Sequence, residues 1–204
     1  MQPGANTTPS SVEAHDGSLS SREVALLGLM AALWGALEIT AGGVIKGWHV
    51  PFGGALLASL GVVILLAARA IVPRPGSSLM IGIVAAGLRF ASGFGGGVFA
   101  AVGIAAEAAI METVLSLGPA GSRRARGTAG AMAVLWAMVH PFVVQGFVAG
   151  LGPSRVYEFT LGILVGQAPA NSASAVAAFL LVAMTHAAMG VGAMLFVDRV
   201  LLST

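Results

Sequence analysis

The residues able to do chemistry in this chain are few, and most of them interrupt long apolar runs. Glu38 lies in "ALLGLMAALWGALEI", Arg89 in "GIVAAGLRF", Glu107 and Glu112 in "AAEAAIMETVL", His140 in "WAMVHPF" and His186 in "AMTHAAMG". A carboxylate accepts hydrogen bonds or holds a cation, a guanidinium holds a carboxylate or phosphate, and an imidazole donates, accepts or relays a proton. A charge at the centre of a membrane helix costs about 2.5 to 3.5 kcal/mol on insertion scales, so these groups are expected to face the interior of a helical bundle. The segments beyond the runs add Lys46, Trp48, His49, Tyr157, Glu158, Gln167 and Asn171, and Gln145 lies just beyond His140. The candidate binding set is therefore Glu38, Trp48, His49, Arg89, Glu107, His140, Gln145, Tyr157, Asn171 and His186, gathered around a pocket open to the outside.

The same side chains have structural readings. Arg89 and Glu38 can snorkel to headgroups, Glu112 can tie to the Arg123 to Arg126 cluster, and His140 and His186 can be neutral packing groups. Trp34, Trp48 and Trp136 read first as packing or interface anchors, with Trp48 beside His49 the best stacking candidate. Glu107, with no cation near it in sequence, is the hardest to assign to packing.

Enzyme signatures are missing: there is no G-x-S-x-G, no H-E-x-x-H and no paired aspartates for lipid-phosphate chemistry. Histidines at positions 15, 49, 140 and 186 fit no compact metal spacing, so neither a metal nor another cofactor is expected. The glycines of "GFGGG" have no strand before them and no lysine after them, and read as a turn rather than a phosphate cradle. No Walker A sequence occurs, so transport against a gradient would draw on an ion gradient or a separate ATPase.

These groups must be positioned by a membrane domain. The 204 residues are 57% hydrophobic and 9% charged, with a mean hydropathy of +0.92, which describes an integral membrane protein. There are no cysteines, which excludes disulfides and thiolate metal sites. No basic patch is interleaved with aromatics, so nucleic acid is not an expected partner.

Residues 1–20 are rich in Ser, Thr, Pro and Gly and read as a disordered cytoplasmic tail without the features of a cleaved signal. Ser20 and Glu23 have the spacing of a capping box, which opens the first helix. Apolar runs follow at about 24–41, 53–72, 78–94, 98–117, 128–149 and 175–197, giving an all-α bundle of six transmembrane helices over residues 21–204. Gly42-Gly43, "PRPGSS", "GFGGG", "GPAGSRRARG" and "GLGPS" punctuate them. Residues 155–172 are too mixed for a span and read as an outer loop with a short interfacial or re-entrant helix, while Pro141 is expected to kink the fifth helix beside His140.

With the amino terminus in the cytoplasm, Arg22, Arg69, Arg74, Arg123, Arg124, Arg126 and Arg199 all lie on the cytoplasmic side, leaving Lys46, Arg89 and Arg155 toward the outside. The asymmetry favours both termini inside. On the first helix, Gly28, Ala32 and Ala36 fall within a stripe of about 80°, while Glu38 lies about 160° from Ala36 on the face of Ala31 and Trp34. Small residues at this spacing permit close helix approach in bilayers.

In these features the chain resembles the substrate-binding S components of energy-coupling factor (ECF) transporters. The likeness is carried by "ALWGA" (Ala32 to Ala36) as an A-x-x-x-A in helix 1 and by "HVPFGGALLASLG", "VPRPGSSLMIGIVAAGLR" and "AAEAAIMETVLSLG", and covers roughly residues 24–200. It implies a subunit that binds a vitamin or related micronutrient without catalysis, with the weak similarity of helix 4 suggesting thiamine or its pyrimidine precursor. The amino-terminal "MQPG" departs from the Met-His start of the nickel and cobalt branch. The resemblance also implies that Gly28, Ala32 and Ala36 dock on a coupling transmembrane subunit carried by a pair of ABC ATPases, in a bacterial or archaeal cytoplasmic membrane. It implies further that the loop around Trp48 and His49 helps cover the ligand. The competing expectation is a small proton-coupled carrier or channel that relays protons through Glu107, His140 and His186.

Overall fold

The computed structural model describes residues 19–48, 50–93, 97–148 and 172–201, together with 150, 152 and 155. The expectations for residues 1–18, for His49, and for 156–171 with Tyr157 and Asn171 lie outside the described residues. So do the side chains of Lys46 and Gln145.

Six helices make up the described fold: α1 (Ser21–Gly47), α2 (Gly53–Ile71), α3 (Ser77–Ala91), α4 (Gly97–Leu117), α5 (Arg123–Val148) and α6 (Ser172–Leu201). All except α3 are long and apolar enough to cross a membrane. At 15 residues, α3 spans about 22 Å, less than the roughly 30 Å hydrocarbon core. The result is an all-α, multi-pass membrane bundle.

Helix boundaries follow local chemistry, modified by packing. Ser20 and Glu23 form the capping box: the Ser20 amide donates to Glu23 Oε2 at 2.8 Å and the Glu23 amide donates to Ser20 Oγ at 3.2 Å. Gly42-Gly43 do not end α1, which continues to Gly47. Gly42 is buried, and a Cβ there would meet Leu57 at 3.5 Å, so contact with α2 outweighs the roughly 1 kcal/mol by which glycine disfavours a helix. α5 begins before the expected position, at Arg123, where Ser122 Oγ accepts the Ala125 amide at 3.3 Å. It also runs on through Pro141 to Val148.

α2 is the central element. It packs against each of the other five helices, which follow one another around it in the order α1, α3, α4, α5, α6; α1 and α6 make no contact among the described residues. Its buried face includes Leu57, Ala58, Gly61, Val62, Leu65 and Leu66, while Leu56 and Leu60 remain exposed. α5 and α6 cross at glycine: a Cβ on Gly190 would stand 2.1 Å from the Gly130 carbonyl oxygen, so only hydrogen fits there.

One end of the bundle gathers Arg69, Arg74, Arg123 and Arg126 with their partners. Glu112, on α4, accepts from Arg69 of α2 at 3.1 Å and from the backbone amides of Gly76 and Ser78 at the start of α3, at 2.8 and 3.1 Å. It also accepts the Ser116 hydroxyl at 2.6 Å. Glu112 thus caps α3 from a neighbouring helix, where the free amides favour a negative charge. Arg69 further donates to the Arg74 carbonyl, and Arg74 pairs with Glu23 at 3.0 Å. The expected tie of Glu112 to the Arg123 to Arg126 cluster is therefore corrected: Arg123 and Arg126 pair instead with Asp198 of α6, at 3.2 and 3.0 Å. The reason is packing, since α5 meets α6 at this end while Glu112 faces the α2–α3 turn.

Replacing Glu112 by alanine leaves Arg69 and two helix-start amides without their acceptor. The expected cost is about 3 kcal/mol, measured as a loss of thermal stability in detergent, against a change within about 0.5 kcal/mol for the exposed-site control Arg124→Ala.

Candidate functional site

The opposite half of the bundle holds a cavity of about 300 Å³ between α1, α2, α4 and α5. Its wall is built at helical spacing: Phe99, Gly103 and Glu107 share one face of α4, Trp136 and His140 one face of α5, and Gly54, Leu57 and Ala58 one face of α2. Glu38 enters from α1.

Glu107 is the most enclosed of the polar groups in this wall. It is 5% exposed, and its Oε1 has no hydrogen-bond partner among the described protein groups. Its seat depends on Gly61, because a Cβ there would stand 2.7 Å from Glu107 Oε1 and 2.7 Å from Trp34 Cζ2. Trp34, 1% exposed, fills the space beneath, on the face of α1 that also buries Leu27 and Ala31. A second glycine serves α5: a Cβ on Gly103 would meet the His140 ring at 3.3 Å, and the Gly103 carbonyl accepts the Trp136 indole N–H at 3.1 Å. Trp136 and His140 stand ring against ring, with centroids 5.6 Å apart. The indole is thereby fixed, and so is the imidazole beside it.

The structure brings together Glu38, Glu107 and His140 of the expected binding residues. Arg89, although 4% exposed, is not part of the wall; it lies at the end of α3 and donates to Ser92 Oγ at 3.1 Å. His186, 2% exposed, is also elsewhere. Its Nδ1 lies 2.8 Å from the Val182 carbonyl oxygen, which makes it the donor, and its ring meets Phe52 edge-on at 5.8 Å. Trp48 is 80% exposed and does not line the cavity. Phe99 and Trp136 were not in the expected set. The signal that finds them is the four-residue spacing from Phe99 through Gly103 to Glu107, and from Trp136 to His140.

Among the described residues, no group of three His, Asp or Glu side chains is placed to hold a metal ion. The arrangement offers carboxyl acceptors, an imidazole and two aromatic rings along a mostly apolar cleft, which suits binding a small molecule with donor groups. No protein family, curated protein or solved structure matches the chain.

Gly61→Ala is expected to displace Glu107 or Trp34 and to destabilise the bundle by about 1 to 3 kcal/mol. Thermal unfolding measures the cost, and a changed near-ultraviolet circular dichroism spectrum reports the movement of the indole.

Proposed function

We propose that this chain is a solute-binding membrane subunit, working as the substrate-binding S component of an ECF-type importer. The observation that carries the reading is the division of α1 into two unlike faces. One face buries Leu27, Ala31 and Trp34 and gives Glu38 to the cavity. The other is exposed and carries a stripe of small residues, Ala25, Gly28, Ala32, Ala36 and Gly43, flanked by the exposed side chains of Val24, Leu29 and Leu33. α1 packs only on α2 and α3 among the described residues, so this face, with its small-residue stripe, lies on the outside of the bundle.

In this reading the arginine end faces the cytoplasm, as the positive-inside rule favours, and the cavity lies in the outer half. A vitamin or related micronutrient enters the cavity from outside. The small face of α1 then docks on a coupling subunit, where close backbone approach replaces the hydrophobic drive that a bilayer lacks. Hydrolysis by the associated ATPases supplies the work, while this chain supplies selectivity. Proton relay is the competing reading, favoured by the sharing of one cavity by Glu107 and His140. The separate position of His186, engaged with Val182, weakens it.

Leucines at both Ala32 and Ala36 are expected to abolish uptake in cells while ligand binding by the purified chain persists. Loss of binding, or unaffected uptake, would count against docking through α1. Uptake that stops with a protonophore but survives ATP depletion would favour the relay.

A further inference from the structure

We propose that the cavity selects a compact organic cation with a planar, nitrogen-bearing head over a carboxylate or phosphate. This deepens the solute-binding reading and rests on it. Sequence alone leaves the ligand's charge open, because Glu38 and Glu107 suit a cation whereas Arg89 with two histidines suits an anion.

The fold keeps both carboxyl groups in the wall and divides the other set, retaining only His140 of it. Arg89 and His186 are absent from the wall, and among the described residues the wall contains no lysine or arginine. Among the described residues its ionisable groups are Glu38, Glu107 and His140. Glu107 presents a buried acceptor atom that no described protein group satisfies, and such atoms in native interiors call for a donor. A cationic N–H group provides both the donor and the opposite charge, and charge-assisted hydrogen bonds are the strong ones. A carboxylate or phosphate ligand brings more acceptors and a like charge to the same place.

The aromatic wall agrees with this assignment. Trp136 is held by its indole N–H on the Gly103 carbonyl, and Phe99 joins it in the wall. Aromatic ring faces attract cations, most strongly where water is excluded. The volume of about 300 Å³ lies at the small end of ligand pockets and suits a single substituted ring.

Benzamidinium, benzamide and benzoate test the idea, because they share nearly one shape and differ in charge. Calorimetric titration of the full-length protein in detergent is expected to rank benzamidinium first, with benzoate at least about tenfold weaker. Glu107→Gln, which keeps the shape, is expected to weaken benzamidinium about 10- to 100-fold. If that variant does not fold, the ranking on the native protein decides alone. Benzoate or benzamide binding as tightly as benzamidinium overturns the cation preference and leaves solute binding standing, as does undiminished affinity in a folded Glu107→Gln protein. If none of the three binds and mass spectrometry finds no small molecule co-purifying, both readings fall.

Discussion

A carboxyl group carried into an apolar bundle must find donors there, and the architecture of this protein turns on how two glutamates of one helix meet that demand. Glu112 meets it within the fold. Arg69, the start of α3 and Ser116 all converge on it, so three helices are joined at one end by a single side chain. Glu107, five residues and about 7.5 Å of helix away, keeps an oxygen that no described protein group satisfies, and the cavity lies against it. One acid closes the bundle and the other leaves it chemically unfinished. That difference sets the two halves of α4 apart: one carries the acid that ion pairs and helix-start amides hold, the other the acid that lines the cavity.

The space is created by missing side chains as much as by present ones. Gly61 lets Trp34 and Glu107 occupy the volume beside α2, and Gly103 lets His140 close on α4. In a chain so rich in small residues, most glycines signify only close packing. These two differ because the atoms a Cβ would strike belong to the polar groups of the cavity and to the indole beneath them. Close packing of backbone and the seating of functional side chains are here the same event.

Hydropathy made the spans legible, and the capping spacing of Ser20 and Glu23 located the start of the first helix. Where the chain depends on contacts remote in sequence, legibility stops. Gly42-Gly43 read as a break because nothing local reports that Leu57 would pack there. The partner of Glu112 was hidden because Arg69 lies on another helix, across a turn whose own amides complete the site. Glu38, Glu107 and His140 could be selected by depth and polarity, but the same criteria also selected Arg89 and His186, which are buried elsewhere. Depth along a helix follows from residue number; the side on which a group emerges depends on the neighbours, and α2 touches them all. The aromatic wall was readable in principle, since its members repeat at one helical turn from the polar residues already singled out.

The crossing of α5 and α6 at Gly130 and Gly190 brings main chain directly onto main chain. With no compressible layer of side chains there, this pair forms a stiff backing plate behind Trp136 and His140. Across the cavity, α1 has no such brace, since it touches neither α5 nor α6 among the described residues. Glu38 and the outward stripe of small residues ride on this one helix, so whatever sets the position of the acid sets the position of that outer surface as well.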